Sequence, residues 1–205
     1  MIKAIVFDFD GTLFHSNHLG EKSLRLLCKK VGKKFDTKKY ASLKGLTRKD
    51  KLKALFPKNY KKLWPIWNKV YSDNYSKQSK PYKNTLSLLR YLHSKEVILI
   101  IFSTKFSSLI KLALKKYSIE KLFYCVIGGE KEPRKPSSKI ISKYIKKAGL
   151  NKQEILLVGD TNVDAVSAKN LRVKFILIDH KNKFDKKIKA YKKIINLIEL
   201  KKNIV

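Results

Sequence analysis

The sequence predicts an α/β fold: a parallel β-sheet with helices on both faces, interrupted after its first strand by an all-helical block. Three observations carry that prediction. Five short apolar runs are continuous rather than alternating, the pattern of strands buried on both faces. Helical patterns fall between them, and strand alternating with helix at this pace builds a parallel sheet. The stretch from Phe14 to Lys80 contains no such run and offers only helical candidates.

Taken in order, Ile2–Phe9 reads as the first strand. The helical block follows, with Leu19–Val31, a short piece near Thr37–Lys44, Arg48–Phe56 and a longer helix from Asn59 to about Lys77. Thr47 has the character of a helix cap, with Asp50 at the capping-box position. Asn84 is expected to cap the helix that returns to the sheet. The second strand is Val97–Phe102, ending at Ser103-Thr104-Lys105, and a helix over Ser107–Tyr117 follows it. The third strand, Phe123–Ile127, runs into Gly128-Gly129. A helix over Ser138–Ala148 closes at Gly149. The fourth strand, Ile155–Val158, ends at Gly159-Asp160 and leads to a helix over Val163–Leu171; the fifth is Phe175–Ile178. The lysine-rich end is expected to form one amphipathic helix, Lys187–Leu200, turning Ile188, Tyr191, Ile194, Ile195 and Ile198 inward.

A chain of 205 residues can bury one core plus a modest inserted domain. Its 43% hydrophobic and 11% aromatic content is that of a globular protein rather than a disordered one. No apolar run approaches the ~18–20 residues of a membrane span, and the first strand is too short and too soon acidic for a signal peptide; a cytoplasmic protein is expected. Cys28 and Cys125 match no metal or redox spacing and are expected as buried free thiols. The formal charge of +32 comes from 48 Lys and Arg against 16 Asp and Glu. Such an excess can attract nucleic acid, yet 43 of those cations are Lys and only 5 are Arg, the residue suited to bidentate phosphate and base recognition. The lysines are spread over every predicted exposed helix face with no one basic block, which reads as a solvated surface rather than a dedicated nucleic-acid site.

The first strand ends in Asp8-Phe9-Asp10-Gly11-Thr12. Side chains two apart on a strand share a side, so two carboxylates are brought together where the strand gives out, a costly arrangement unless a cation or proton offsets it. Open α/β sheets bind ligands beyond the carboxyl ends of their strands. Ser103 stands at the end of the second strand and Asp160, with Asp164 following, at the end of the fourth. Lys135, in Pro133-Arg134-Lys135-Pro136, follows the third in a long loop.

In these stretches the chain resembles the haloacid dehalogenase superfamily, in its phosphoglycolate-phosphatase-like group. Asp8-Phe9-Asp10-Gly11-Thr12-Leu13 is similar to the first motif, Ser103 after a hydrophobic strand to the second, Lys135-Pro136 to the third, and Gly159-Asp160-Thr161-Asn162-Val163-Asp164 to the fourth. The resemblance implies a Rossmann-like catalytic core, residues 1–13 and 81–205, with a helical cap domain at 14–80. It also implies a Mg²⁺-dependent phosphomonoester hydrolase acting on a small phosphorylated metabolite such as phosphoglycolate. On this reading Asp8 is the nucleophile and forms an aspartyl-phosphate, and Asp10 protonates the leaving alcohol and then activates water. Mg²⁺ is held by Asp8, Asp160 and the backbone carbonyl of Asp10, with Asp164 supporting it; Ser103 and Lys135 offset the phosphate charge, and Thr104 follows at the substrate.

Related activities differ at particular residues. Haloacid dehalogenases lack the second Asp, so Asp10 argues against that chemistry. The β-phosphoglucomutases are similar at Leu43-Lys44-Gly45-Leu46-Thr47-Arg48, where the matching arginine contacts a second anionic group of the substrate; this implies a substrate-binding role for Arg48. They carry an acidic residue where this chain has Gly159, which favours hydrolysis. Departures from the phosphatase pattern are Lys83-Asn84 for Pro-Gly, His15 for Asp, Thr104 for Asn and Arg172 for Gly. The alternative functions are a 3′-phosphatase on nucleic-acid ends, which the charge would suit, and a nucleic-acid-binding protein on a hydrolase fold.

Overall fold

The computed structural model describes residues 1–16, 18–43 and 48–203, the side chains of Ser76 and Asn203 excepted. The Lys44-Gly45-Leu46-Thr47 stretch, with its mutase-like pattern and the Thr47 cap, lies outside the described residues. The chain divides into two compact units, Met1–His15 with Lys80–Val205, and Ser16–Ser79.

The first unit is the expected α/β sheet. Six strands lie in the order β5-β4-β1-β6-β7-β8, with β1 at Ala4–Phe7, β4 at Ile98–Phe102, β5 at Cys125–Ile127, β6 at Ile155–Gly159, β7 at Lys174–Ile178 and β8 at Lys192–Ile194. Every pairing is parallel. Helices α5 (Thr85–Ser94), α6 (Ser107–Lys116), α7 (Lys139–Lys147) and α8 (Asn162–Leu171) connect them. All four residues of β1 are buried, which is why its run is apolar at every position rather than at alternate ones. The chain leaves β1 for β4 on one side and later returns to β6 on the other, so the strand order reverses at β1. Phe7 lies opposite both Ile101 and Val158, and the three central strands therefore end nearly level at the switch point, the place where open α/β sheets bind ligands.

Three features of this unit differ from expectation. The predicted helix over Lys187–Leu200 is instead β8 followed by a 3₁₀ turn, Leu197–Asn203. The backbone of β7 offered an open edge, and β8 takes it: Tyr191 N–H donates to Phe175 O and Asp179 N–H to Ile194 O. Ile188, Ile194, Leu197 and Leu200 are buried, whereas Tyr191 and Ile195 of the proposed inward face are exposed. An edge flanked by Lys192 and Lys193 suits a sheet that must not pair further. A two-strand antiparallel ribbon, β2 (Phe14–His15) with β3 (Lys80–Pro81), also stands where the sequence showed only helix; it is too short to leave a periodic trace.

Asn84 occupies the position before α5, but its backbone is left-handed (φ 66°) and its side chain makes no cap. Its amide instead donates to Asn196 Oδ1 at 3.2 Å. A capping side chain needs an extended backbone at that position. Cys28 and Cys125 are free, the first buried and the second half-buried.

The second unit is helical: α1 (Leu19–Lys30), α2 (Thr37–Ser42), α3 (Arg48–Leu55) and α4 (Tyr60–Gln78). Its core is the α1–α4 contact. Leu24 and Leu27 of α1 are buried, as are Trp67 and Tyr75 of α4 and Leu52 of α3. The Trp67 indole N–H donates to Ser23 Oγ at 2.9 Å, which satisfies the one polar atom that so large a buried ring carries. Among the described residues no helix is long and apolar enough to cross a membrane.

Candidate active site

Beyond Phe7 the chain passes directly into Asp8, whose N–H still donates to Val158 O in the manner of the sheet. Its carboxylate meets Lys135, brought in by the loop between β5 and α7. Lys135 Nζ lies 2.9 Å from Asp8 Oδ1 and 2.5 Å from Asp164 Oδ1, and its side chain is 1% exposed. Asp160, following β6, accepts from Thr12 Oγ1 at 3.3 Å. Asp164 sits in the first turn of α8, where its Oδ2 takes the Thr161 N–H at 3.0 Å and the Thr161 hydroxyl at 2.5 Å. Thr161 and Asp164 thus form a capping box. Gly159 leaves the room this needs, since a Cβ there would stand 2.4 Å from the Cβ and Cγ of Asp164. No side chain, acidic or otherwise, fits at position 159 while Asp164 keeps this position.

Oxygens of Asp8, Asp160 and Asp164 all lie within 4.8 Å of one another. Three carboxylates therefore face one ammonium in a buried space. Burial, opposed by Lys135 and reinforced by Asp164 and Asp10, pushes the Asp8 carboxyl up to about 7. Burial with the Asp8 and Asp164 charges pushes Asp160 up to about 8. Burial pulls the Lys135 ammonium down, but the Asp8 and Asp164 carboxylates together more than reverse this and hold it above the ordinary lysine value. A cluster with excess negative charge and only oxygen donors fits a hard divalent cation such as Mg²⁺. Both oxygens of Asp164 already accept hydrogen bonds, so Asp8 and Asp160 are the carboxylates that could ligate directly.

The side chain of Asp10 faces another partner. Gly11 (φ 90°) turns the chain sharply after it, the rings of Phe9 and Phe14 stack at 4.5 Å beneath the turn, and Asp10 Oδ2 lies 2.6 Å from Lys105 Nζ. Ser103 is buried at the end of β4, and its hydroxyl accepts from Lys105 N–H at 3.3 Å. Thr104 is exposed; its backbone packs so tightly on Gly129 that a Cβ at 129 would meet the Thr104 carbonyl oxygen at 2.1 Å. Arg48 belongs to the helical unit, with its guanidinium 3.8 Å from the centre of the Tyr71 ring and within 6 Å of the Trp64 and Trp67 rings.

Sequence reasoning singled out neither Lys105 nor His180 for this site. His180 Nε2 lies 2.9 Å from Thr12 O, and since a carbonyl only accepts, the ring donates there and steadies the residue that serves Asp160. Its ring stacks on Tyr82 at 3.5 Å, and burial holds its pKa below the usual histidine value. No spacing signals that contact. Lys105 did carry a signal, standing to Ser103 as Asp10 stands to Asp8, two residues on past a strand end.

The sequence matches the haloacid dehalogenase-like hydrolases over residues 5–178. The chain belongs to this family. This haloacid dehalogenase-like hydrolase is 25% identical over 181 residues to the pyrophosphatase PpaX of Halalkalibacterium halodurans, 87% of this chain and 84% of that protein. It is 28% identical over 183 residues to the phosphoglycolate phosphatase of Aquifex aeolicus, 86% of this chain and 84% of that one. Its fold matches a subfamily IA hydrolase of the same superfamily from Geobacter sulfurreducens with a TM-score of 0.81 and 19% identity, over 100% of this chain and 97% of that one.

Proposed function

We propose that this hydrolase cleaves small phosphomonoesters through an aspartyl-phosphate on Asp8. The observation that carries the reading is the Asp8–Lys135–Asp164 chain of contacts beside Asp160. It presents a nucleophilic carboxylate at a sheet switch point, with a fixed cation against it and a second acid placed for metal binding. Asp8 and Asp160 would hold Mg²⁺, with the backbone carbonyl of Asp10 as the family implies. When bound, the ion would neutralise charge on the nucleophile and the transferring phosphoryl group. Asp8 Oδ attacks phosphorus in line as the bond to the leaving oxygen breaks. Asp10 gives that oxygen its proton, and in the second step takes one from the water that attacks phosphorus and frees Asp8. Lys135 remains charged and opposes the charge of nucleophile and phosphate. Ser103 donates to a phosphate oxygen, Thr104 lies next to it, and Asp164 positions Lys135.

Phosphoglycolate and pyrophosphate are the first substrates to try, supported by the names of the relatives. The formal charge of +32 gives a 3′-phosphorylated strand end as the competing substrate. Phosphate release with and without Mg²⁺ over small phosphate esters, pyrophosphate and 3′-phosphorylated oligonucleotides separates them. Folded Asp8→Asn protein should release none, and turnover comparable to wild type would overturn the mechanism.

A further inference from the structure

Lys105 is not placed as a surface lysine. In the pairs Lys3–Glu154 and Lys115–Glu120 the lysine side chains are 61% and 68% exposed, whereas Lys105 is 11% exposed and its partner Asp10 18%. Its backbone is fixed from two sides. Lys105 N–H donates to Ser103 Oγ, Gly129 N–H donates to Lys105 O at 2.8 Å, and Ser107 N–H is held by the Glu130 carboxylate at 2.9 Å. Gly128 and Gly129 allow this closeness, because a Cβ at 128 would stand 2.3 Å from Ser107 N and 2.9 Å from Lys105 O. The β4–α6 turn is thereby braced against the chain after β5, and the ammonium is delivered to one spot.

That spot has a chemical meaning if the proposed function holds, on which the present inference rests. Asp10 must reach the leaving oxygen to protonate it, so a cation 2.6 Å from Asp10 Oδ2 stands on the leaving-group side of phosphorus. Lys135, by contrast, is engaged by Asp8 and Asp164 on the nucleophile's side. We infer that Lys105 is a specificity residue for substrates whose leaving group carries its own negative charge, such as a carboxylate two bonds from the ester oxygen or the second phosphate of a pyrophosphate. On binding, the ammonium shifts one of its N–H donors to that anion. It takes no part in bond making or breaking.

The test uses matched pairs that differ only in the distal charge. For turnover these are phosphoglycolate and ethyl phosphate; for binding without turnover, 3-phosphonopropionate and propylphosphonate, titrated calorimetrically with Mg²⁺ present. Wild type should prefer the doubly anionic member of each pair. A charge-assisted hydrogen bond corresponds to about 10–100-fold, so Lys105→Met should erase a preference of that size, mainly through KM. Lys105→Arg should restore most of it, and Lys105→Gln replaces the Met variant if that fails to fold. Absence of any preference in wild type, or equal losses on both members in the variants, would overturn the inference; equal losses would leave Lys105 only the task of holding Asp10. Should wild type release phosphate from no ester at all, the proposed function fails, and the phosphonate titration still decides the role of Lys105 by itself.

Discussion

The two units of this chain differ in whether their cations reach buried carboxylates. At the sheet edge Lys135 and Lys105 reach carboxylates in partial or full burial, at 2.5–2.9 Å. In the helical unit cations lie on rings: Arg48 over Tyr71 at 3.8 Å, Lys51 over Tyr40 at 5.1 Å and Arg25 over Phe35 at 4.1 Å, the last also paired with Glu21 at 2.7 Å on an exposed face. Residues 16–79 contain four acids, Glu21, Asp36, Asp50 and Asp73, too few to partner their cations, and an aromatic face is the remaining electrostatic partner that also buries the long stem. In a chain with three cations for every acid, a buried lysine–carboxylate pair is scarce and points to chemistry. A cation on a ring with no buried carboxylate beside it points to packing.

The largest expected effect is at Lys135. Replacing it by Met leaves Asp8 and Asp164 buried without their shared cation, which should cost about 3–5 kcal/mol of stability and lower turnover by about 10²–10³-fold. Denaturant unfolding and phosphate release measure the two. An unfolding midpoint equal to that of wild type would mean the pair is no more than a surface contact, and the contrast between the units would collapse.

Next comes pH. Asp8 and Asp160 have folded-state pKa values near 7 and 8, above the ~4 of an unfolded carboxyl. Between pH 4 and 8 the folded, metal-free protein therefore holds protons that the unfolded chain has released. Stability from these groups falls as pH rises through that window, by at most about 1.4 kcal/mol per pH unit for each group. Mg²⁺ bound as proposed would displace the same protons, so its stabilisation should grow with pH. Asp160→Asn mimics the protonated acid: without metal it should match wild type at pH 3, below the unfolded pKa, and exceed it in thermal stability by a margin that grows from pH 5 to pH 8. A variant less stable than wild type at pH 8 would contradict the excess negative charge assigned to the site.

Much of this was legible in the sequence, for physical reasons that differ by element. Strands buried on both faces write themselves as unbroken apolar runs, so β4 and β6 could be read to within a residue of their ends, whereas β1 stops at Phe7, two residues before the expected Phe9. The end of each is where a polar residue has a chemical reason to stand, and Asp8, Lys135, Asp160 and Asp164 do meet there. The misreadings come from patterns that two structures share. Lysine pairs spaced by isoleucines fit a helix and an edge strand alike, and only the open edge of β7 decided for β8. Lys105 was hidden by abundance, being one of 43 lysines, and Asn84 by a backbone angle that no composition reveals.

A third experiment bears on Arg48, where the likeness to the mutases and the local packing point different ways. Its guanidinium lies on Tyr71 with Trp64 and Trp67 around it, which favours a pillar of the helical unit. Arg48→Ala should then cost about 1–2 kcal/mol in unfolding, with kcat/KM for phosphoglycolate and for an aryl phosphate changed by the same factor. A selective loss on phosphoglycolate with unchanged stability would restore the substrate contact that the resemblance implies.

The smallest effect is at Arg172, and it concerns the helix that carries Asp164. The family pattern places glycine here, and the backbone shows why: Arg172 ends α8 in the left-handed conformation, φ 60° and ψ 46°, with its N–H turned back to the carbonyls of Ala168 and Lys169. A side chain bearing a Cβ costs about 1–2 kcal/mol in that conformation, and glycine avoids it. Against this, glycine loses more chain entropy on folding, about 0.5–1 kcal/mol, and the arginine's charge at a helix C-terminus is worth about 0.3 kcal/mol. Arg172→Gly should therefore stabilise by about 0.5 kcal/mol, seen as a higher urea midpoint with an unchanged slope. Arg172→Ala, which keeps the Cβ and loses only the charge, should be neutral or slightly worse. Turnover should be the same in all three proteins, because Asp164 stands at the other end of α8 with its own cap at Thr161. If both substitutions stabilise equally, the cost at Arg172 is repulsion among cations rather than backbone strain, and the contrast between glycine and alanine is the measurement that tells the two apart.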